Sequence, residues 1–261
     1  MSVITILCML VIVLSITVFM VWASASIRSG VYVRAFCCEK TDRKVVYLTF
    51  DDGPHPPETE RVLDVLRERG ARATFFLIGS KVSGNEVVLR RMLEEGHALG
   101  LHTYSHAGTF PLLSFDKMLA DVNEGKRTVE SVAGKKIALF RPPFGVTNPT
   151  IAKVVRTLGL QTVGWDVRSF DTMFCKSSEH SCKQSGYSCK QSGHDWYVPV
   201  VERIMKQVRP GSVILLHDRL DGASELLDLL LDSLAASGYD FTCALPNTLI
   251  SSSDSSETNL S

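Results

Sequence analysis

The chain lacks any net charge, because its 28 Lys and Arg residues are balanced by 28 Asp and Glu residues and its sequence pI is near 7.0. Binding to nucleic acid or anionic lipid through a global basic field is therefore not favoured. The 261 residues are 45% hydrophobic, which suits one good-sized core, whereas two large domains would be cramped. These properties are compatible with a single α/β domain, and any polymeric ligand is expected to be neutral or locally recognised.

Charge is also absent from the N-terminal segment, where the first charged side chain is Arg28. Residues Val3 to Ile27 are almost continuously apolar and long enough to cross a hydrocarbon core as a helix. A cleaved signal peptide is the alternative, because residues 23–25 read Ala-Ser-Ala. The segment lacks a basic n-region, however, and its apolar stretch is long for a signal. We predict that residues 1–28 are a retained single-pass membrane anchor, followed by a linker over residues 29–44.

Cysteine occurs in an odd number, seven, which does not favour a fully paired disulfide framework. Three of these cysteines begin the units of a seven-residue repeat over residues 175–195, whose Ser, Gly, Lys and Gln content predicts a flexible insertion. A second metal site is the alternative, although the six-residue gaps differ from common zinc spacings. Its ligands would be Cys175, Cys182, Cys189, His180 and His194. The Ser-rich tail over residues 246–261 is expected to be disordered.

Strand-like and helix-like patterns alternate along residues 45–245. The predicted strands cover residues 45–50, 72–78, 97–101, 137–140, 160–165, 212–217 and 239–243. The predicted helices cover residues 57–69, 85–95, 114–132, 148–158, 197–208 and 223–237. This alternation predicts a mainly parallel sheet, but it does not decide between an open sheet and a closed barrel.

Two adjacent carboxylates stand at the end of the first predicted strand. Asp51 and Asp52 would repel each other in a cleft, so one should meet a cation while the other accepts protons. His102 and His106 are expected on one side of a helical turn, a spacing that suits Zn²⁺ or a similar ion. Either pattern alone is more often a solvated turn or a pair of surface histidines. Together they predict an Asp-His-His metal site with open positions for water and substrate.

These residues belong to five short blocks that occur, in the same order, in a known family. The blocks are residues Thr49–Pro54, His102–His106, Arg141–Gly145, Trp165–Asp171 and Leu215–Asp218. Over residues 45–245 the chain resembles the polysaccharide deacetylases with a NodB-homology domain, also called carbohydrate esterase family 4. The resemblance implies a distorted (β/α)7 barrel, here preceded by one N-terminal transmembrane helix.

The resemblance also implies the location of the domain outside the cytoplasmic membrane, where family members act on cell-wall glycans. The positive-inside rule favours the opposite orientation, because several basic residues follow the apolar span. They are Arg28, Arg34, Lys40, Arg43 and Lys44. We expect a cell-membrane protein with an extracytoplasmic catalytic domain.

The resemblance implies roles for the residues around the metal. One divalent ion, Zn²⁺ in the first place and Co²⁺, Ni²⁺ or Mn²⁺ as alternatives, would be held by Asp52, His102 and His106. Asp51 would be the catalytic base for a metal-bound water. Arg141 would contact Asp51 as a bidentate fork, keeping that carboxylate ionised and oriented.

A second group of roles concerns the leaving amine and the acetyl group. The resemblance implies that His217 is the catalytic acid and that Asp171 bonds to it and raises its pKa. Among the substrate-binding residues, Phe144 would offer a backbone N–H to the oxyanion. Leu215 would line the pocket for the acetyl methyl group, and Trp165 is a candidate for an apolar wall.

The chain departs from the family pattern at positions near the substrate. Arg168 occupies an aspartate position of the fourth block, Thr172 a tryptophan position and Phe144 a position where tyrosine is common, while Leu101 precedes the first histidine. These changes affect the expected substrate more than the expected metal site. His55 lies outside the matching blocks and is interpreted as structural.

The expected function is metal-dependent removal of N-acetyl groups from the amino sugars of a glycan such as peptidoglycan or a chitin-like polymer. An O-acetyl esterase acting on a xylan-like polymer is the nearest alternative, because the same site can attack an ester. A non-catalytic glycan-binding domain of the same fold is the alternative from another class. That class predicts loss of at least one of the six residues expected at the centre, which are all present: Asp51, Asp52, His102, His106, Arg141 and His217.

Overall fold

A computed structural model describes residues 2–174, 196–242 and 244–245. The α-helices in these ranges include α1 (Val3–Ala25), α2 (Glu58–Glu68), α3 (Glu86–Glu94), α4 (Phe115–Ala133), α5 (Pro149–Thr157), α6 (Tyr197–Met205) and α7 (Ala223–Ala236). The strands are β1 (Ala35–Phe36), β2 (Val46–Gly53), β3 (Ala73–Leu77), β4 (Ala98–Leu101), β5 (Leu139–Phe140), β6 (Gln161–Val163), β7 (Val167–Arg168) and β8 (Ser212–His217). The Cys-containing repeat and the Ser-rich tail lie outside the described residues.

The eight strands form one parallel sheet in the order β1-β6-β5-β4-β3-β2-β8-β7. Strand β2 is central, pairing with β3 on one side and with β8 on the other. The sheet curls strongly, since Arg141, directly after β5, bonds both to Thr49 on β2 and to the carbonyl oxygen of Val163 on β6. This curled sheet with its outer helices is the distorted (β/α)7 barrel that the family resemblance implied.

Side chains along β2 alternate between two environments, as the two-residue period of a strand requires. Val46, Leu48 and Phe50 belong to the large apolar cluster between the sheet and the helices. Tyr47 belongs to a second cluster inside the curl, together with Phe76 of β3. Asp51 lies on the same face as Tyr47, so the curl brings its carboxylate into the interior at the carboxyl end of the strand.

The predicted elements agree with the structure except at the sheet margins. Sequence periodicity did not predict β1 and β7, because two-residue strands are too short to show a repeat. Residues 35–36, in the range predicted as a linker, pair with β6. The strand predicted over residues 239–243 is represented by one isolated bridge, from Asp240 to Val45. The amide of Val46 on β2 donates to the carbonyl oxygen of Asp240, and the amide of Arg72, directly before β3, donates to that of Phe241. The segment therefore bonds beside two different strands and does not form a regular strand of its own.

Helix α1 is long and apolar enough to cross a membrane, and nearly all of its side chains are exposed. Its last turn differs, because Ala23 is fully buried. The amide of Thr147 donates to the carbonyl oxygen of Ser24 at 2.9 Å, and the Thr147 hydroxyl donates to that of Ala23 at 3.3 Å. The end of α1 is therefore packed against the loop that follows β5.

Candidate metal centre and active site

The two aspartates of the first block point in different directions because the end of β2 is irregular. The register of β2 with β3 shifts between Asp51 and Gly53, and Asp52 has a φ of 75°. A β-bulge of this kind re-aims one side chain relative to the next. Asp51 consequently turns toward Arg141, while Asp52 turns toward the histidines of the second block.

Asp52, His102 and His106 form a three-residue group that could hold a metal ion. Their potential ligand atoms all lie within 4.8 Å of one another. The Oδ1 atom of Asp52 is 3.6 Å from Nε2 of His102 and 3.3 Å from Nε2 of His106. One carboxylate and two imidazoles form a donor set that suits a divalent transition metal, with coordination positions left for water and substrate.

The ring orientation of His102 supports this interpretation. Its Nδ1 lies 2.7 Å from the carbonyl oxygen of Arg141. A carbonyl oxygen can only accept, so Nδ1 donates to it and Nε2 is the ring nitrogen that faces Asp52. This arrangement is the usual one for a metal-binding imidazole, in which a second hydrogen bond selects the tautomer.

The second block does not form the helical turn that its spacing predicted. Residues 102–106 form a loop, in which Thr103 and His106 have φ values of 68° and 48°. The carboxylate of Asp121 on α4 accepts hydrogen bonds from the amides of Tyr104 and Ser105. The two imidazoles are brought together by this anchored loop, because a helical i,i+4 relation is only one way to bring side chains close.

Left-handed backbone conformations coincide with the sequence blocks. In the described part of the chain, the non-glycine residues with positive φ are Asp52, Thr103, His106, Phe144 and Phe170. All five lie within the first four blocks. Such conformations cost roughly 1–3 kcal/mol each and gather where a surrounding structure imposes a functional geometry. This clustering marks the carboxyl edge of the sheet as the functional region independently of residue type.

Arg141 is completely buried and forms the inner wall of the site. Its Nη1 donates to Asp51 Oδ1 at 2.6 Å and to the Thr49 hydroxyl at 2.9 Å. Its Nε and Nη2 donate to the carbonyl oxygens of Val163 and Gly164. The contact with Asp51 therefore uses one nitrogen, and the predicted bidentate fork is wrong, because Nε and Nη2 donate to carbonyl oxygens at the carboxyl end of β6.

His217 and Asp171 lie together at the end of β8. The Nδ1 atom of His217 is 2.8 Å from Asp171 Oδ1, and the backbone amide of His217 donates to Asp171 Oδ2. Burial alone would lower the pKa of His217, but the carboxylates of Asp171, Asp51 and Asp52 together raise it to about 9. Nε2 of His217 lies 4.0 Å from Asp52 Oδ2, so the ring faces the candidate metal site.

Asp52 also has a partner that the sequence blocks did not indicate. The Nε atom of Arg219 donates to Asp52 Oδ2 at 2.8 Å. Burial would raise the pKa of Asp52, but His102, His217, His106 and the hydrogen bond from Arg219 hold it at about 2. Arg219 follows His217 by two residues, and this proximity was the only available signal for it.

The residues predicted to bind substrate occupy three different settings. Phe144 is 52% exposed, and its ring meets that of His106 edge-to-face at 5.2 Å. Leu215 is buried and pairs in register with Thr49 of β2. The ring of Trp165 lies 5.5 Å from the Arg141 guanidinium carbon, behind the inner wall. Phe144 is thus the member of this set placed at the opening of the site.

Two further residues lie at the site that sequence reasoning did not assign to it. Asp218 is fully buried, its Oδ2 accepts from Thr59, and burial raises its pKa to about 6. A Cβ on Gly53 would meet Asp218 Oδ2 at 2.5 Å, so a larger residue at that point of the first block would displace the Asp218 carboxylate. His55, interpreted as structural, lines the cavity beside Asp52.

Comparisons with known proteins agree with this geometry. A family model described as polysaccharide deacetylase matches residues 39–163. A peptidoglycan-N-acetylglucosamine deacetylase from Bacillus cereus is 34% identical over 207 residues, covering 77% of this chain and 86% of that protein. The chain belongs to the polysaccharide deacetylase family. Its activity class is accordingly the deacetylation of a glycan.

Two other members of the family extend the comparison. The peptidoglycan-N-acetylmuramic acid deacetylase PdaA of Bacillus subtilis is 31% identical over 208 residues, which cover 79% of this chain and 72% of PdaA. The structure of the peptidoglycan deacetylase PdaC from Bacillus subtilis superposes with a TM-score of 0.61 at 30% identity. That superposition covers 77% of this chain and 87% of the PdaC chain.

Proposed function

We propose that this polysaccharide deacetylase removes N-acetyl groups from amino sugars of a peptidoglycan-type glycan in a metal-dependent reaction. The observation that carries the proposal is the convergence of Asp52, His102 and His106 beside an Asp51–Arg141 pair and an Asp171–His217 pair. Relatives named as peptidoglycan deacetylases support the substrate class. A divalent ion held by the three ligands would supply an acidified water and a positive charge for the developing oxyanion.

Asp51 is the proposed base. Its Oδ1 is occupied by Arg141, whereas Oδ2 lies 3.9 Å from Nε2 of His102 and faces the ligand group. The fixed Oδ1 contact holds the carboxylate in one orientation, so Oδ2 can take a proton from the attacking water. As the water loses this proton, its oxygen attacks the acetyl carbonyl carbon, and a tetrahedral intermediate forms.

His217 is the proposed acid. Its Nδ1 is held by Asp171, and the raised pKa keeps the ring protonated at neutral pH. Nε2 can then deliver a proton to the sugar nitrogen as the carbon–nitrogen bond breaks. The products are acetate and a free amino sugar. The proton acceptor and the proton donor are different residues, Asp51 on β2 and His217 on β8.

Acetate release from acetylated glycans tests the proposal. The protein should release acetate from N-acetylated oligomers, lose the activity with a chelator and recover it with Zn²⁺. Asp51→Asn should reduce turnover by about 10²–10⁴-fold with metal content unchanged, because it removes only the proton acceptor. Asp52→Asn should lower metal content as well. Chelator-resistant turnover would contradict the mechanism, and a preference for O-acetylated xylan would favour the esterase alternative.

We further propose that α1 remains attached as a membrane anchor, with the catalytic domain outside the cytoplasm. Burial of Ala23 and the hydrogen bonds from Thr147 to the carbonyl oxygens of Ala23 and Ser24 support this, because cleavage after residue 25 would remove these partners of the folded domain. The full-length protein should fractionate with membranes, with an intact N-terminus by mass spectrometry. External protease should digest the domain in intact spheroplasts. A soluble product that begins near residue 26 would contradict the anchor.

A further inference from the structure

Two cationic side chains flank Asp52 on the outer side of the site. Arg219 donates from Nε to Asp52 Oδ2, and Lys81 donates from Nζ to the backbone carbonyl oxygen of Asp52 at 2.8 Å. Among the residues that the structure describes, the two terminal nitrogens of Arg219 have no hydrogen-bond partner. The Arg219 side chain is about one-third exposed. Four N–H groups of a guanidinium are thus available at the opening.

These cations line a cavity that begins at the metal ligands. The cavity has a volume of about 440 Å³, and its lining includes Asp52, His106, Lys81, Arg219, Ser80 and Ser105. Small-molecule sites commonly occupy about 300–1,000 Å³, so this space is of the size used for ligands. One side of the cavity is formed by the candidate metal ligands. The other side presents the hydroxyl groups of Ser80 and Ser105 and the cations of Lys81 and Arg219.

The charges around the cavity do not balance. Of the described side chains that line it, Asp52 is the one carboxylate, whereas Lys81 and Arg219 are both cations. The carboxylates of Asp51, Asp171 and Asp218 lie outside this lining and have Arg141, His217 and Thr59 as partners. A divalent ion on Asp52 would increase the excess of positive charge. A neutral sugar does not require this excess, whereas an anionic substituent would gain charge-assisted hydrogen bonds from it.

We propose that Arg219 and Lys81 bind a carboxylate carried by the amino-sugar substrate, such as the lactyl group of an N-acetylmuramic acid residue. This inference rests on the proposed deacetylase function and narrows its substrate class. The free terminal nitrogens of Arg219 match the two oxygens of a carboxylate, and Lys81 adds a second charge. Substrate selection then takes place directly beside the ligand group.

The test compares matched substrates. Peptide-free glycan strands containing N-acetylmuramic acid would be assayed beside the same strands with the lactyl carboxylate converted to a neutral methylamide. Wild-type kcat/KM should fall by about tenfold or more on neutralisation, mainly through KM, because a charged acceptor is lost. Arg219→Gln and Lys81→Gln should lose most of this preference. Lys206→Gln, at an exposed position of the surface, should retain it.

Two readouts separate the possible failures. Metal content is measured for every variant, because Arg219 contacts the candidate metal ligand Asp52. If Arg219→Gln loses metal and its kcat/KM falls equally on both substrates, Arg219 belongs to the metal site instead. Binding of both glycans to Asp51→Asn protein by calorimetry does not require turnover. Absence of acetate from any substrate would refute the proposed function, whereas equal binding and equal kcat/KM for both glycans would overturn the carboxylate site.

Discussion

Two neighbouring aspartates each contact an arginine, yet the two pairs occupy opposite environments. Arg141 and Asp51 are buried, with side-chain exposures of 0% and 4%. Arg219 and Asp52 are more accessible, with exposures of 34% and 12%. The inner arginine also donates to two carbonyl oxygens at the end of β6 and to a threonine hydroxyl, whereas the outer arginine uses one nitrogen on Asp52.

This difference separates a fixed part of the site from an adaptable part. Burial lowers the pKa of Arg141, while Asp51 opposes that effect, so neither charge tolerates loss of the other. Arg219 of the outer pair is about one-third exposed, and both of its members line the cavity. The inner pair therefore holds the proposed base in position, and the outer pair is the proposed contact with the substrate.

The largest effect on stability is expected at the inner pair. Arg141→Met leaves Asp51 buried without a partner and should lower the free energy of unfolding by about 3–5 kcal/mol. Urea denaturation of metal-free protein would measure it without a contribution from metal binding. Adding Asp51→Asn should restore part of the loss, because the uncompensated charge is then absent. Strict additivity of the two changes would mean that the pair is not coupled.

An intermediate effect is expected for the pair at β8. Asp171→Asn should lower the pKa of His217 from about 9, because it removes the carboxylate that most strongly opposes the effect of burial. Since the raised pKa stabilises the fold below pH 6.5, that stabilisation is lost as pH rises to about 9, and the variant should lack this pH-dependent part. Histidine NMR of the metal-free protein would follow the change. His97, whose pKa burial lowers to about 4, is the internal control; an unchanged His217 pKa would contradict the assigned cause.

The smallest effect is expected at the outer pair. Arg219→Met should change the free energy of unfolding by about 0–1 kcal/mol in metal-free protein, as for other accessible ion pairs. Thermal or urea denaturation beside Arg141→Met would measure the contrast directly. A loss comparable with that of Arg141→Met would show that Arg219 is structural and would remove the distinction between the two pairs.

Most of the helices and strands could be predicted from the sequence, because their burial pattern is visible locally. Helices such as α2 and α7 bury one apolar face, and strands such as β2 are bounded by turn residues, so their periodicity is visible locally. The short strands β1 and β7 have no such period. Strand β1 exists because it pairs with β6, and β7 because it pairs with β8. Both partners are distant in sequence.

For the site, the sequence by itself determined which residue types were available and that they stand at the carboxyl ends of parallel strands. Only the tertiary structure decided which of these side chains contact one another. Asp51 and Arg141 are 90 residues apart, and Asp52 and Arg219 are 167 residues apart. Which carboxylate oxygen meets which donor depends on the bulge in β2 and on the curl of the sheet. Hydrogen bonds act over about 3 Å, whereas sequence patterns report only the environment of each segment.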